Sequence, residues 1–385
     1  MPTASRPRYN CYAVTAPGLE PVTATELTAL GMETGDTEPG GIPFRADEAE
    51  LYAANLHLRT ASRVLVRVAE FQATSFRDLE SRARAIPWER FVVAGRPVQL
   101  RVTCRKSRLY HSDAVAERVR DAISHRLGAP TPSLAPADEE GEGGEAQLFV
   151  VRFSHDRCTI SVDASGRLLH LRGYRQAVGR APLRETLAAA MLLASGWDPE
   201  LPLVDPMCGS GTIAIEAAML SRQIAPGLRR SFAFQNWPEF RADIWAELRA
   251  AAMAAIHPAA RSAIQASDRD AGAIAATIAN AERAGVASDI TATQRALSSI
   301  DPIPSPTGWL VTNPPYGHRV GDVERLRALY ARLGQVARTL HPGWIVAMLV
   351  ADPRLEGQVG LPFEDAFRTT NGGIWVRLAV ATVPA

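Results

Sequence analysis

A glycine-rich turn near the middle of the 385-residue chain is the first segment whose residues could do chemistry. It reads Asp205-Pro-Met-Cys-Gly-Ser-Gly-Thr212 and is followed by the apolar run IAIEAAML. Glycine lets the backbone turn sharply and approach a ligand without a Cβ in the way. The free N–H groups at the start of the following helix point toward that ligand. The sequence therefore predicts a ligand-binding turn between a strand and a helix.

Two common phosphate-binding interpretations of this turn fit poorly. The third glycine of a GxGxxG fingerprint is replaced by Ala214, and no GK[ST] follows as it does in a P-loop. The acidic residue expected to bind ribose hydroxyls is Asp268, which lies 63 residues after Asp205. A compact dinucleotide unit has a spacing of roughly 20 residues. Residues 222–263 fill this gap, and we expect them to be an inserted helical segment.

A second motif, Asn313-Pro-Pro-Tyr-Gly317, directly follows the strand-like run GWLVT. The two prolines stiffen the backbone and lack N–H groups, so the Asn313 side-chain oxygen and the Pro314 carbonyl can face a substrate as fixed acceptors. Tyr316 supplies a flat ring on which a base can stack. Two acceptors and an aromatic plane suit the exocyclic amine of a planar base, because they direct its lone pair toward an electrophile.

A purely structural interpretation of this motif is a Pro-Pro turn in which Asn313 caps the strand end and Tyr316 packs against the core. Ligands of open α/β sheets, however, bind at the carboxyl ends of the strands. Both motifs directly follow predicted strands of one such sheet. We therefore favour the functional interpretation.

Strands and helices alternate through the second half of the chain, which changes character near residue 171. Predicted helices cover residues 183–195, 213–220, 271–284 and 323–340, and predicted strands cover 203–205, 264–267, 290–293, 309–312 and 345–350. This alternation predicts a parallel, doubly wound sheet. The chain ends in two strand-like runs around an Asn371-Gly372 turn signal, which predicts a closing hairpin and one inserted antiparallel strand.

In the first half, short strand-like runs alternate with helices, which predicts a small α/β unit. Its strand-like runs cover residues 97–103, 148–153, 159–162 and 168–171. Ser112 is predicted to be the N-cap of a helix that ends at Gly128, with Val115 and Val119 on its apolar face. Segment 129–146 is acidic, rich in glycine and proline, and is predicted to be a loop.

The net charge of +1 hides two basic stretches in the first half. Residues 77–120 carry 11 basic and 5 acidic side chains, and residues 147–184 carry 7 basic and 2 acidic side chains. These stretches predict a polyanion-binding surface, most simply one for nucleic acid. An ordinary solvated face fits the same charge pattern equally well.

Composition excludes several other classes of protein. Hydrophobic residues make up 46% and charged residues 22%, as in ordinary globular domains. The longest apolar runs, 187–194 and 344–351, are far shorter than the roughly 20 residues of a membrane-spanning helix. The first residues lack the apolar core of a secretory signal. The four scattered cysteines give no sign of a zinc site or a disulfide framework, so we expect a metal-free protein of the reducing cytoplasm.

Taken together, DPMCGSGT and NPPYG resemble motifs I and IV of class I S-adenosylmethionine-dependent amino-methyltransferases. The segments Gly173-Tyr-Arg, Ala181-Pro-Leu and Ser195-Gly-Trp narrow this resemblance to RNA guanine-N2 methyltransferases that carry an N-terminal THUMP domain. In the first half, TAPGLEPVTATELTALG, LYAANLHLRTASRVLVRVAEF and RKSRLYHSDAVAERVRDAI look like the ferredoxin-like start and the THUMP core. The resemblance spans nearly the whole chain, and segment 129–146 is its least family-like part.

The resemblance implies a fold, a cofactor and a reaction. It implies an α+β ferredoxin-like and THUMP RNA-binding region over residues 1–170. Over residues 171–385 it implies an α/β, Rossmann-like methyltransferase domain with a mostly parallel, seven-stranded sheet and a C-terminal antiparallel hairpin. The implied reaction transfers a methyl group from S-adenosylmethionine to the N2 amine of a guanine in 23S rRNA. The same chemistry on tRNA guanine or on adenine N6 stays open, as does a catalytically silent RNA-binding factor of ribosome assembly.

The resemblance and the charge pattern together assign roles to individual residues. Catalytic roles are expected for Asn313, Pro314, Pro315 and Tyr316. Cofactor-binding roles are expected for Asp205, Pro206, Cys208, Gly209, Ser210, Gly211, Asp268, Arg269 and Asn313. RNA-binding roles are expected for Arg105, Lys106, Arg108, Arg172 and Arg175. Direct displacement by an amine needs no cysteine nucleophile, so Cys208 is expected to be a small packing residue.

One position departs from the family pattern. Family members often carry an acidic residue at the end of the third strand, where it accepts the adenine amine of the cofactor. This chain has Ala296 at that position. Either Asp301 or a backbone group is expected to take the role, or the affinity for the cofactor is lower than is usual in the family.

Overall fold

The structure is a computed structural model that describes residues 8–133, 146–176, 183–300, 305–316, 323–339 and 342–384. Of these, the residues within Met1–Thr15, Ala24–Leu169 and Arg230–Ala250 form one compact unit. Those within Ala16–Thr23, His170–Arg229 and Ala251–Ala385 form the other. The chain therefore passes between the units several times. Most of the predicted acidic loop and also Asp301 and Gly317 lie outside the described residues.

The first part of the chain contains β1 (Tyr9–Thr15), α1 (Glu20–Ala29), β2 (Glu33–Thr34), β3 (Gly41–Ala46), α2 (Glu48–His57), β4 (Ala61–Gln72), α3 (Phe76–Arg84), β5 (Val98–Arg105), α4 (Ser112–Leu127), β6 (Gln147–Ser154) and β7 (Arg157–Asp163). Its seven strands form one sheet in the order β2-β3-β1-β4-β7-β6-β5. All neighbouring strands are antiparallel except the parallel pair β5 and β6.

The remaining elements are α5 (Glu185–Ala194), β8 (Leu203–Asp205), α6 (Thr212–Ser221), α7 (Ala242–Ala254), β9 (Ile264–Asp268), α8 (Ala271–Ala284), β10 (Ile290–Gln294), β11 (Trp309–Thr312), α9 (Val323–Thr339), β12 (Ile345–Val350), α10 (Pro353–Glu356), β13 (Glu364–Asn371) and β14 (Ile374–Thr382). The second sheet has the order β10-β9-β8-β11-β12-β14-β13. It is parallel as far as β12, and β14 is antiparallel to both of its neighbours. The predicted parallel sheet with a closing hairpin is confirmed.

Apolar side chains cover both faces of the second sheet. On one face, residues of α5, α6 and α8 form a core that includes Met191, Ile215 and Leu203. On the other face, residues of α9 and α10 pack with Leu310 and Val204. Leu203 and Val204 are adjacent in β8 and belong to different cores, because successive side chains of a strand point to opposite faces. Coverage on both faces explains why the strands of this sheet read as continuous apolar runs.

Part of the predicted inserted segment, residues 230–250, belongs to the first unit. The Phe234 ring stacks on the Tyr52 ring with centroids 4.3 Å apart. The Trp237 indole N–H donates a hydrogen bond to Gln147 Oε1 at 2.9 Å. These buried aromatic contacts hold the segment to the first unit rather than to the helices that flank it in sequence.

Two local predictions in the first half are wrong. Residues 168–171 form no strand, and the carbonyl of Leu168 accepts a hydrogen bond from the Arg230 guanidinium at 2.7 Å instead of from a neighbouring strand. Ser112 is the first residue of α4 rather than its N-cap, and His111 precedes the helix without a side-chain capping bond. Gly128 ends α4 as predicted, with a φ of 68°.

Candidate active site

The glycine turn joins the end of β8 to the start of α6. Gly209 and Gly211 have φ values of 54° and 83°, in the left-handed region where a side chain is strained. A Cβ on Gly211 would lie 2.6 Å from Thr277 Cγ2, so this glycine also allows α8 to approach the turn. A Cβ on Gly209 would meet no atom within 4 Å, so the space next to the Gly209 Cα is open. The turn therefore combines a tightly packed side with an open one.

Buried side chains of α8 hold the backbone of this turn in place. The Thr277 hydroxyl donates to the Gly209 carbonyl, and the Asn280 amide donates to the Ser210 carbonyl, both at 3.0 Å. Cys208 Sγ lies 3.6 Å from Thr277 Oγ1. Burial raises the pKa of the Cys208 thiol well above its usual range, which disfavours the nucleophilic thiolate. This environment agrees with the interpretation of Cys208 as a packing residue.

Asp268 lies at the end of β9, next to the glycine turn. The Gly209 N–H donates to Asp268 Oδ2 at 3.1 Å, and the Asp270 N–H donates to Asp268 Oδ1 at 3.0 Å. Because β8 and β9 are adjacent and parallel, the carboxyl ends of both strands meet at one edge of the sheet. The carboxylate is half-buried, so it is fixed in place and still accessible to a ligand.

Asp205 links the glycine turn to the Asn-Pro-Pro-Tyr motif. Its carboxylate is buried and accepts hydrogen bonds from the Thr312 hydroxyl at 2.9 Å and from the Met207 N–H at 3.2 Å. Loss of solvation raises the pKa of Asp205 to about 7. Thr312 is the last residue of β11, so the next residue, Asn313, lies close to the glycine turn.

Within the Asn-Pro-Pro-Tyr motif the side chains contact one another. The Tyr316 hydroxyl donates to Asn313 Oδ1 at 2.5 Å, and the Asn371 amide donates to the Tyr316 hydroxyl at 3.2 Å. The Tyr330 hydroxyl donates to the Pro315 carbonyl at 3.4 Å. Burial raises the pKa of Tyr316 to about 12, so this hydroxyl stays protonated at neutral pH.

Two of these contacts go beyond what the sequence predicts. The sequence predicts a stacking role for the Tyr316 ring, but the Tyr316 hydroxyl also contacts Asn313. The sequence predicts Asn371 only as a turn residue, whereas its amide bonds the Tyr316 hydroxyl. The two residues are 55 positions apart, so no local pattern could pair them. The Asn371-Gly372 turn signal, in a hairpin predicted to close the same sheet, is the only feature of the sequence that points to this part of the site.

The candidate phosphate-binding residues of the first unit lie at one end of β5. Arg105 is the last residue of that strand, and the side chains of Arg105, Lys106 and Arg108 are exposed. The Asp156 carboxylate accepts the Arg108 N–H at 2.7 Å, which holds the loop that carries these cations. Their exposure is compatible with contacts to RNA phosphates.

Arg172 and Arg175 do not fit the RNA-binding role expected of them. Arg172 Nε donates to Glu216 Oε1 at 2.8 Å, and the two side chains are 1% and 0% exposed. Arg175 pairs with Glu185 at 2.8 Å, and these side chains are 9% and 1% exposed. Both arginines therefore form ion pairs with buried glutamates. These ion pairs could not be predicted from the sequence, because both glutamates lie in otherwise apolar helices.

At the end of the third strand the structure supplies no carboxylate at position 296. Ala296 directly precedes a short helical turn, Leu297–Ser299, and its carbonyl accepts the Ser299 N–H at 2.9 Å. Pro206, Ser210 and Arg269 lie on the same loops as Asp205, Gly209 and Asp268. The part of the chain that is described contains no cluster of three potential metal ligands and no helix long and apolar enough to cross a membrane.

The residues at this edge fit S-adenosylmethionine. Open space next to the Gly209 Cα gives room for a ligand at the turn, and Asp268 offers acceptors for ribose hydroxyls. Asn313 directly follows Thr312, whose hydroxyl bonds Asp205 at the start of the glycine turn. The arrangement can therefore hold an adenosyl cofactor next to a pair of acceptors for an amine.

Comparisons with known proteins agree with this site. Residues 172–373 match the family described as RMKL-like, methyltransferase domain. Residues 10–65 match the family described as RlmL ferredoxin-like domain. These matches confirm the predicted methyltransferase fold and the predicted ferredoxin-like start.

Two curated relatives and one solved structure are similar along most of the chain. A Synechocystis protein provisionally named as an RNA methyltransferase is 36% identical over 365 residues, which is 94% of each chain. The ribosomal RNA large subunit methyltransferase K/L of Syntrophotalea carbinolica is 37% identical over 380 residues, which is 95% of this chain and 53% of that relative. The chain thus spans about half the length of this second relative.

The solved structure is that of a provisionally assigned methyltransferase complexed with SAH. It is 29% identical in sequence and superposes with a TM-score of 0.85. The match covers 97% of this chain and 98% of that chain. The matched domains and the full-length similarity show that this protein belongs to the RMKL-like family of S-adenosylmethionine-dependent RNA methyltransferases.

Proposed function

We propose that this protein methylates the exocyclic N2 amine of a guanine in 23S rRNA. One observation carries the chemical part of the proposal. The Thr312 hydroxyl donates to Asp205 at 2.9 Å, which brings Asn313 beside the glycine turn. An amine acceptor motif and a cofactor turn thus share one sheet edge. The large-subunit RNA is supported by the name of the Syntrophotalea relative and by the resemblance of the sequence to guanine-N2 methyltransferases.

Asn313 and Pro314 would bind the amine that reacts. An exocyclic amine conjugated with its ring is a poor nucleophile, because its lone pair is delocalised. Asn313 Oδ1 keeps one lone pair beyond its bond to Tyr316, and the Pro314 carbonyl is a second acceptor. Two such acceptors hold the amine hydrogens aside and stabilise positive charge that develops on nitrogen during methyl transfer.

The other site residues would bind the cofactor and set the direction of attack. When bound, S-adenosylmethionine would supply an activated methyl group, whose bond to the sulfonium sulfur breaks as the bond to the amine nitrogen forms. The thioether would be left as the second product, and the methylated amine would lose one proton to solvent. The glycine turn and Asp268 would hold the cofactor, and Asn313 would align the amine with the methyl carbon. Such alignment lowers the barrier because the reacting atoms no longer have to find each other in solution. The target guanine must leave its stack to enter the site.

The first unit would bind the RNA. We propose that residues 1–170 form the RNA-binding region with its THUMP core and that residues 171–385, apart from segment 230–250 of the first unit, do the chemistry. Arg105, Lys106 and Arg108 would contact phosphates, since all three are exposed on one strand end and its loop. A cytoplasmic location is part of this proposal, because the RNA substrate is there.

The direct test is nucleoside mass spectrometry of rRNA and tRNA from a strain that lacks the gene. We expect loss of one N2-methylguanosine from 23S rRNA and its return when the wild-type protein is supplied. Supplying Asn313→Ala should leave that nucleoside missing. Loss of N6-methyladenosine would assign adenine instead, and loss from tRNA alone would assign a different RNA. An unchanged nucleoside profile would favour a catalytically silent RNA-binding factor.

A further inference from the structure

The tip of the β13–β14 hairpin reaches the amine acceptor motif through a chain of two hydrogen bonds. The Asn371 amide donates to the Tyr316 hydroxyl at 3.2 Å, and that hydroxyl donates to Asn313 Oδ1 at 2.5 Å. Asn371 therefore contacts the acceptor of the target amine through one intermediate group. Neither the family resemblance nor the motif itself assigns a role to this asparagine.

The direction of the chain follows from counting protons. A tyrosine hydroxyl has one hydrogen to donate and two lone pairs that accept. Because the Asn371 amide donates to one of those lone pairs, the single hydrogen of Tyr316 is free to bond Asn313 Oδ1. Asn313 then has its oxygen fixed toward Tyr316, with one lone pair left for a substrate amine. Without Asn371 the Tyr316 hydrogen could rotate, and the Asn313 amide would lose part of its fixed orientation.

The hairpin holds Asn371 firmly at this position. Asn371 is the last residue of β13 and pairs with Ile374 across Gly372 and Gly373. Both glycines have positive φ, at 58° and 82°, as in the tight turns that suit the twist of two paired strands. Two and four residues earlier, Thr369 and Phe367 are buried on the face that also bears Asn371. A short turn and a buried strand therefore fix the amide.

We propose that Asn371 is a positioning residue for methyl transfer, which sets the direction of the Tyr316 hydroxyl and thereby the acceptor orientation of Asn313. This inference rests on the proposed function of the Asn-Pro-Pro-Tyr motif. It adds the closing hairpin to the substrate site. Asn371 does not itself touch the reacting atoms, and it acts through Tyr316.

Asn371→Asp is the most informative variant because it keeps the size of the side chain and replaces the donor with an acceptor. The new carboxylate would take the Tyr316 hydrogen away from Asn313. We expect Asn371→Ala to lower kcat about 3- to 10-fold, the effect of one ordinary hydrogen bond, and Asn371→Asp to lower it more. The KM for RNA should stay within about 2-fold of the wild-type value, since Asn371 holds no part of the RNA.

A double-mutant cycle separates positioning through Tyr316 from a general disturbance of the hairpin. In a Tyr316→Phe background, Asn371→Ala should have no further effect on kcat, because the group through which it acts is gone. Thr370→Ala is the matched control, since Thr370 is the exposed neighbour of Asn371 on the opposite face of the strand. Full activity in Asn371→Asp, additive losses in the cycle, or an equal loss in Thr370→Ala would each overturn the proposal.

A second measurement does not need activity, so it separates this inference from the proposed function. The protein is labelled with 13C at the tyrosine ζ carbon, and the Tyr316 signal is assigned by its absence in Tyr316→Phe. We expect Asn371→Ala and Asn371→Asp to shift this signal, whereas Thr370→Ala should leave it in place. An unmoved signal in both Asn371 variants would refute the contact. Shifted signals in a protein that methylates no RNA would uphold the contact and refute the proposed function.

Discussion

The two seven-stranded sheets of this protein present their functional side chains in opposite ways. In the second sheet, Asp205, Asp268 and Asn313 stand at the ends of neighbouring parallel strands, and each is held by hydrogen bonds. In the first sheet, Arg105 and Lys106 stand at the end of an edge strand with exposed side chains. A site for chemistry needs groups fixed before the ligand arrives. A surface that attracts a polyanion needs charge and accessibility, and it tolerates mobile side chains.

The buried arginines sharpen this comparison. Arg172 and Arg175 have the same guanidinium group as Arg105, but each forms an ion pair with a buried glutamate. Charge counted along a sequence therefore overstates the charge that a partner can reach. In this protein, burial decides which arginines are available for RNA. Substitutions in the two sheets should accordingly have different kinds of effect.

The largest effect is expected at Asn313. Asn313→Ala removes an aligned acceptor and should lower kcat about 100- to 1,000-fold, which corresponds to about 2.7–4 kcal/mol of transition-state stabilisation. Asn313→Asp keeps an acceptor and should retain more activity than Asn313→Ala. Steady-state methyl transfer measures both variants, and calorimetry should show nearly unchanged cofactor affinity. Full activity in Asn313→Ala would contradict the mechanism.

Two glycine substitutions compare the packed and the open side of the turn. Gly211→Ala combines a left-handed φ of 83° with an overlap at Thr277, so we expect a loss of about 2–4 kcal/mol in the free energy of unfolding. Gly209→Ala meets only backbone strain and should cost about 1–2 kcal/mol. Urea unfolding monitored by circular dichroism measures both. Equal losses would show that contact with α8 does not constrain the turn.

Variants of Asp268 test whether its carboxylate binds the cofactor. Asp268→Ala removes a charged acceptor and should weaken S-adenosylmethionine binding about 10- to 100-fold, as expected for a hydrogen bond to a charged group. Asp268→Asn keeps one acceptor oxygen and should lose less. Isothermal titration calorimetry gives both values, with Asp36→Ala as an exposed control. Wild-type affinity in Asp268→Ala would show that this residue does not bind the cofactor.

Asp205 should make the free energy of unfolding depend on pH. Its pKa rises from 3.8 to about 7 on folding, so the folded state keeps a proton that the unfolded chain releases. Between about pH 4 and 7 the free energy of unfolding should therefore fall with rising pH, with up to about 1.4 kcal/mol per pH unit from this group. Asp205→Asn should remove that part of the slope, while the buried Glu185 retains its own. An unchanged slope in Asp205→Asn would contradict the assignment.

The smallest effects are expected on the exposed surface of the first sheet. Arg105→Ala and Lys106→Ala should each weaken RNA binding by a similar factor for different RNAs. Each lost phosphate contact should lower the slope of log K against log salt by about 0.7–0.9. Arg126→Ala is the control, because Arg126 is already paired with Glu89 at 2.6 Å. Unchanged affinity and salt slope in the first two variants would remove this surface from the RNA interface.

The sequence predicted the second sheet closely because its strands and helices alternate and are separated by clear turn signals. Strands β8, β11 and β12 and helix α8 have the predicted bounds. What it could not predict depends on contacts between distant residues. Arg230 donates to the Leu168 carbonyl in a segment predicted as a strand, and Arg172 pairs with the buried Glu216. In the site, the motifs and Asp268 were visible as local patterns, whereas the contact of Asn371 with Tyr316 arises only when the hairpin closes the sheet.

The central claim is that the hydrogen-bonded edge of the second sheet methylates a guanine amine of large-subunit RNA. The most direct measurement is transfer of tritium from methyl-labelled S-adenosylmethionine into purified, unmodified 23S rRNA and tRNA, followed by nucleoside digestion and chromatography. We predict label in N2-methylguanosine from 23S rRNA with the wild-type protein and at least about 100-fold slower labelling with Asn313→Ala. Label in N6-methyladenosine, or label confined to tRNA, would contradict the claim.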